Sequence, residues 1–210
     1  MARTRIKVCG ITRPEDGRAA AGLGVDAIGL VFYPKSSRLV DIPAALRIIE
    51  ALPPFVTTVG LFLDAPGEEI QGLVEQVPLD ILQFHGSETP DFCACFGRPY
   101  LKAVPMGGMA DVADYARRFH TAQGLLLDSH GGGRSGGSGE VFDWNLIPPG
   151  VTKPLILAGG LDPDNVAEAV AAFRPYGVDV SSGVESARGI KDPQRIAAFL
   201  RGVERGESRD

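Results

Sequence analysis

The residues best placed to do chemistry lie in the stretch Arg5-Ile-Lys-Val-Cys-Gly-Ile-Thr-Arg13. A short apolar run ends there on Cys9 and passes at once into Gly10 and a helix-start signal. In a strand alternate side chains share a face, so Lys7 and Cys9 point one way and Ile6 and Val8 the other. A thiol at a strand terminus, two residues from an ammonium, is a candidate base or nucleophile. A buried cysteine is also commonly just a small hydrophobe, and Cys9 on its own fits either description. A carboxyl candidate, Asp128, closes the apolar run Gly124–Leu127, and His85 follows directly on Asp80–Phe84. The other two histidines are weaker candidates: His120 ends a helical run, and His130 lies in a glycine-rich stretch.

Short apolar runs alternate with helix-period runs along the whole chain, and these must position the candidates. The expected strands are Ile6–Cys9, Ala27–Phe32, Val56–Leu63, Asp80–Phe84, Tyr100–Val104, Gly124–Leu127, Pro154–Ala158 and Val178–Ser181. Between them fall helical patterns. Ile70, Leu73, Val74 and Val77 follow the i, i+3, i+4, i+7 template. Helix starts are signalled by a capping box at Thr12-Arg-Pro-Glu15 and by Asp162-Pro163 and Asp192-Pro193, each an N-cap followed by proline. Ser129 to Gly139 holds six glycines and no hydrophobic residue, and Phe142–Ile147 supplies barely two helical turns after it. Eight β-then-α units with no composition break predict parallel strands with helices outside them. An open doubly wound sheet would carry a G-x-G-x-x-G turn after an early strand, which Cys9-Gly-Ile-Thr lacks. The fold expected is therefore α/β, a single (β/α)8 TIM barrel over residues 1–205, with 206–210 a frayed C-terminal tail.

Composition narrows the function. A chain of 210 residues, 44% hydrophobic, suits one domain with a substantial core. Its net charge of −5 and lack of a basic stripe argue against nucleic acid as a partner. No apolar run approaches the ~20 residues needed to span a bilayer, and Lys7 interrupts the early apolar segment where a secretory signal would lie. Three cysteines, two of them close together at Cys93 and Cys95, make a poor disulfide framework and fit a cytoplasmic location. The same spacing disfavours a zinc site. A monomer and a homodimer are both compatible with a barrel of this size.

In such barrels the chemistry sits at the C-terminal strand ends. Those positions hold Cys9, Lys35 and Arg38, Asp64, His85, Asp128, Gly159 with Gly160, and Ser182 with Gly183. Glycines after the seventh and eighth strands let backbone amides approach a ligand, and Ala158-Gly-Gly-Leu161 with Ser181-Ser-Gly-Val184 reads as a phosphate cradle. The first and sixth strands are not neighbours in an eight-stranded barrel, so Cys9 and Asp128 suit an acid and a base flanking one substrate. A direct thiol–carboxylate hydrogen bond is a poorer fit.

At these residues the chain resembles the phosphoribosylanthranilate isomerase family. The resemblance is carried by Lys7-Val-Cys-Gly-Ile-Thr12, Val31-Phe-Tyr-Pro-Lys-Ser-Ser-Arg38, Gln83-Phe-His-Gly-Ser-Glu88, Leu127-Asp128 and Gly136-Gly-Ser-Gly139. It continues through Phe142-Asp-Trp144, Ala158-Gly-Gly-Leu161 and Asp179-Val-Ser-Ser-Gly-Val-Glu185, in order over almost the whole chain. It implies an Amadori rearrangement of a small-molecule phosphoribosyl substrate, with no metal or organic cofactor. It also implies that Asp128 is the general acid and Cys9 the general base, and that Arg38, His85 and Asp179 line the substrate. Arg38 would hold the anthranilate carboxylate, for which a guanidinium fork is suited. Gly159, Gly160, Ser182 and Gly183 would hold phosphate. One position departs from the pattern: Glu140 follows the glycine loop where the family often has lysine.

That mechanism needs a carboxylic acid still protonated when substrate arrives and a thiol able to lose its proton. Desolvation serves the first and a nearby cation the second. Lys7 is the expected cation for Cys9, with Asp179 as its inward-facing counter-charge, because the eighth strand closes beside the first. Two other readings compete. The sugar isomerase of histidine synthesis performs a similar rearrangement with two aspartates, whereas the first-strand position here is Cys9. A catalytically silent phosphate-binding barrel would keep the glycine loops and need neither Cys9 nor Asp128.

Overall fold

The computed structural model of the chain describes residues 3–108, 111–129 and 150–208. Eight strands pair in parallel, each with the next, and the last with the first: β1 (Arg5–Cys9), β2 (Ala27–Val31), β3 (Thr57–Phe62), β4 (Ile81–Phe84), β5 (Tyr100–Pro105), β6 (Gly124–Asp128), β7 (Leu155–Ala158) and β8 (Gly177–Val180). The result is the closed barrel expected from the alternation, with helices between strands. These are α1 (Pro14–Leu23), α2 (Ile42–Glu50), α3 (Gly67–Gln76), α4 (Pro90–Ala94), α5 (Val112–Arg118), α6 (Val166–Phe173) and α7 (Pro193–Glu207). The expected helix at Phe142–Ile147, His130 and the glycine run through Gly139 lie outside the described residues.

Strand alternation splits the interior into two layers. Ile6, Val8, Ile28, Leu30, Leu82, Phe84, Leu125, Leu127, Leu157, Val178 and Val180 face outward and form one core with the helices. The barrel's inner face carries smaller groups: Cys9, Val31 and Leu61 on one side, and Ala103, Leu126 and Ala158 on the other. Helix starts are set by side-chain caps at Asp41, Thr89, Asp111 and Asp192, each accepting from backbone amides of the first turn.

Three local expectations are corrected. No capping box forms at Thr12; Arg13 is the N-cap of α1, and the Thr12 hydroxyl instead donates to the Gly189 carbonyl at 2.6 Å. Asp162 does not cap α6, which begins at Val166. Its carboxylate accepts from the amides of Asp164 and Asn165 and closes a turn ahead of the helix. The chain does not fray at Gly206. That glycine is buried against α6, α7 runs on to Glu207, and the Glu207 carboxylate accepts from the Thr4 amide. The final turn is therefore part of the barrel wall.

Among the described residues no helix is long and apolar enough to cross a membrane.

Candidate active site

Register brings Lys7 of β1 opposite Asp179 of β8, and Cys9 opposite Gly29 of β2. The Lys7 Nζ donates to both carboxylate oxygens of Asp179, at 2.9 and 3.0 Å, and the two side chains are almost fully buried. Bidentate contact holds Lys7 cationic against the burial that would neutralise it, with Cys9 adding to the pull. Cys9 is buried at 6% exposure. Burial pushes its thiol up from the usual range, Lys7 and more weakly Lys191 oppose this, and Asp179 reinforces it. The net direction is upward. The cation expected from strand parity is present, but desolvation outweighs it.

Glycine makes room for the thiol. A Cβ on Gly29 would come within 2.7 Å of Cys9 Sγ and 3.1 Å of Lys7 Nζ, so any side chain there would displace both. The same device recurs across the barrel. Asp128 ends β6 and pairs with Ala158 of β7. The next residue, Gly159, has φ +78, and a Cβ there would lie 2.6 Å from Asp128 Oδ1. Gly159 is thus spent on letting the loop after β7 press against Asp128.

His85 stands just beyond β4, with Nε2 4.0 Å from Asp128 Oδ2 and 3.2 Å from the Gln83 amide nitrogen. With that amide as donor, Nε2 is the unprotonated ring nitrogen. Burial lowers the imidazole to about 4, with Asp128 pulling the other way and Lys7 and Lys102 pushing further down. His85 is therefore neutral at physiological pH. Gln83 Oε1, buried beside it, has no hydrogen-bond partner among the described residues. Asp128, His85 and Lys7 all act on this space from different strands, and Asp128 also acts on Asp179.

Arg38, in the loop after β2, sits against the end of β1: a Cβ on Gly10 would collide with its Cδ. Its guanidinium makes two bonds to Glu185, Nε to Oε1 at 2.7 Å and Nη2 to Oε2 at 2.8 Å. Gly160 has φ +67, and its carbonyl accepts from Asn165 Nδ2. Ser182–Val184 forms a short 3-10 turn, and Gly183 packs so closely on Leu161 and Asp162 that the loops after β7 and β8 form one surface.

Two strand-end residues are not part of this arrangement. Lys35 is exposed in its loop. Asp64 accepts from the Ser87 amide and hydroxyl, and its own amide donates to Glu88, which ties one loop to another. Four polar residues that sequence reasoning had not singled out contribute to the framework: Glu185, Lys191, Lys102 and Glu88. Lys102 left a signal, since its parity with Tyr100 and Val104 puts a charge in the apolar layer behind the barrel, where it needs a partner. Lys102 Nζ reaches the Phe84 and Gly86 carbonyls on either side of His85, at 3.4 and 2.5 Å, and Glu88 Oε2 at 2.7 Å.

The arrangement offers a carboxyl and a thiol at the ends of two non-adjacent strands, a neutral imidazole 4.0 Å from the carboxyl, and a guanidinium in the loop after β2. That set suits proton transfers on a neutral or anionic small molecule. Comparison with known proteins agrees. The family model described as N-(5'phosphoribosyl)anthranilate (PRA) isomerase matches residues 6–202. An N-(5'-phosphoribosyl)anthranilate isomerase of Pseudomonas savastanoi pv. phaseolicola is 55% identical over 203 residues, covering 97% of this chain and 98% of the relative. The crystal structure of the phosphoribosyl anthranilate isomerase from Thermus thermophilus superposes with a TM-score of 0.86 at 41% identity, covering 96% of this chain and 98% of that one. Another phosphoribosyl anthranilate isomerase, solved in complex with reduced 1-(o-carboxyphenylamino)-1-deoxyribulose 5-phosphate, matches with a TM-score of 0.81 at 37% identity over 96% of this chain and 98% of that one.

Proposed function

Because the chain belongs to the N-(5'-phosphoribosyl)anthranilate isomerase family, aldose–ketose isomerases of tryptophan biosynthesis, we propose that Asp128 is the general acid and Cys9 the general base of that rearrangement. The observation that carries the assignment is the placement of these two groups on non-adjacent strands, β6 and β1, at the same end of the barrel. Asp128 gives its proton to the furanose ring oxygen as the C1′–O bond breaks, and the anilino nitrogen supplies the electrons that leave C1′ as an iminium. Cys9 then takes the proton from C2′. The electrons of that C–H bond form the C1′–C2′ double bond and neutralise the nitrogen. Tautomerisation of the enolamine moves the C2′ hydroxyl proton to C1′ and yields the ketone, 1-(2-carboxyphenylamino)-1-deoxyribulose 5-phosphate. The S–H proton of Cys9 passes to solvent before the sulfur takes the one from C2′, and solvent returns a proton to Asp128, so both groups end as they began.

In the unliganded site burial keeps Cys9 as the thiol. The iminium brings a positive charge beside the sulfur, and that charge both favours thiolate and acidifies the C2′ proton. Arg38 holds the anthranilate carboxylate at the rim. His85, held neutral by burial, can take part in hydrogen bonding without placing a second cation near the iminium. Asp179 acts through Lys7 and lines the pocket floor. Gly160, Ser182 and Gly183, with Gly159 setting the path of the first loop, form the phosphate cradle with their backbone amides.

The test is turnover of N-(5'-phosphoribosyl)anthranilate, followed by loss of its fluorescence, in Cys9→Ala and Asp128→Ala. Each replacement lowers kcat by at least ~10² while leaving affinity for the reduced product largely unchanged. Near-native turnover by either variant would refute its assignment.

A further inference from the structure

The loop after β8 carries a buried charge cluster that the acid–base chemistry does not use. Two short strands, β9 (Glu185–Ala187) and β10 (Ile190–Lys191), pair antiparallel and bring Lys191 opposite Glu185. The Glu185 carboxylate takes both bonds from Arg38 and a third from Lys191 Nζ, at 2.8 Å on Oε1. Lys191 also donates to the Ser181 carbonyl at 3.0 Å, and the Ser181 hydroxyl donates to the Cys9 carbonyl at 3.0 Å. The side chains of Lys191, Glu185 and Arg38 are 0%, 6% and 14% exposed, so the cluster opens outward only at the arginine. Against the burial that pushes Glu185 up, Arg38 and Lys191 hold it below the usual carboxylate range.

We propose that Glu185 is a positioning residue that aims Arg38 at the aromatic carboxylate of the substrate, and that Lys191 supplies the surplus positive charge the site needs to accept it. This rests on the reading of Arg38 given above. A guanidinium has five N–H donors in one plane. Glu185 takes the Nε–Nη2 edge and fixes the plane, which leaves the Nη1–Nη2 edge as a second fork for a second carboxylate. A single glutamate would by itself neutralise the arginine and leave little attraction for an anion. With Lys191 present, two cations face one carboxylate, and the excess of one positive charge matches one aromatic carboxylate. Specificity for an ortho-carboxyl aniline over aniline itself then comes from a preorganised pair rather than from Arg38 alone.

The experiment measures binding of two probes by titration: the reduced product and its counterpart lacking the carboxyl group. Glu185→Asp, which keeps the charge balance and retracts the carboxylate from Arg38, weakens the carboxylated probe by ~10-fold and leaves the other unchanged, and in turnover the loss falls on KM rather than kcat. In an Arg38→Met background the same substitution adds no further loss. Lys191→Met, which removes the surplus charge and leaves the two Arg38–Glu185 bonds, gives a loss of the same selectivity and serves if the Glu185 variant does not fold. Equal weakening of both probes, or unchanged binding of the carboxylated one, overturns the proposal. Failure of the underlying reading shows separately, as a wild-type protein that binds neither probe, and overturns the proposal with it.

Discussion

Lys7 and Asp179 meet as a bidentate, buried ion pair across the seam where β1 and β8 close the barrel. The ammonium is thereby shared between a carboxylate and the Cys9 thiol two residues along the same strand. Burial drives the upward shift of Cys9; Lys7 opposes it, and Asp179 offsets part of that opposition.

It follows that kcat/KM for N-(5'-phosphoribosyl)anthranilate still rises with pH above ~8.5, the ordinary thiol range. Lys7→Met removes the opposing cation, so the rising limb moves to higher pH. The double variant Lys7→Met/Asp179→Asn removes the buried charge left behind and moves the limb back towards wild type. A pH–rate profile unaltered by Lys7→Met would separate Lys7 from the chemistry.

His85 links the pocket to stability. Its folded-state value of about 4 lies below the ordinary 6.5, because burial disfavours the imidazolium. The unfolded chain therefore takes up the proton first as pH falls. The stabilisation is complete above 6.5 and is lost between 6.5 and 4, amounting to up to roughly 3 kcal/mol at the acid end. Urea unfolding at pH 7 and pH 4 should show a smaller acid-induced loss in His85→Asn than in wild type. Equal losses would count against a neutral, buried imidazole.

At Gly159 the expected effect is on turnover as well as stability. Gly159→Ala strains a backbone at φ +78 at a cost of about 1–2 kcal/mol and drives a methyl group against Ser129 and the Asp128 carboxylate. A displaced acid lowers kcat by ~10-fold or more while the reduced product still binds. If kcat held while thermal stability fell, the glycine would serve the turn alone.

Behind the barrel, Lys102→Met leaves the Glu88 carboxylate buried without its cation, since both side chains are 2% exposed. Unfolding free energy falls by about 3–5 kcal/mol in the single variant, and Lys102→Met/Glu88→Leu recovers most of it. A loss of less than 1 kcal/mol in the single variant would show that the pair is dispensable.

Much of this was legible in the chain. Alternation of apolar runs with helix signals carried the barrel, and strand parity placed Lys7 beside Cys9 and facing Asp179. Parity works because a strand leaves each side chain only two directions. It has no hold on loops, which is why Thr12 and Asp162 were assigned helix caps: their side chains suit that role, but Gly189 and the turn before α6 compete for the same hydrogen bonds. The bond between Arg38 and Glu185 was equally hidden, since it joins two loops 147 residues apart, and no local pattern specifies it. The direction of the Cys9 shift was missed for another reason. Sequence shows which charge is near, and only the closed barrel shows how dry the sulfur is.

Closure at the seam also sets when the enzyme comes into being. The Lys7–Asp179 contact spans 172 positions, and the serine, glutamate and lysine that brace the first strand from the far side likewise come from the end of the chain. Cys9 lies in the first strand of the barrel, yet its neighbouring ion pair and the brace on its carbonyl are in place only once β8 and the loop after it have docked against β1. A fragment that stops short of β8 therefore carries the thiol without its pocket.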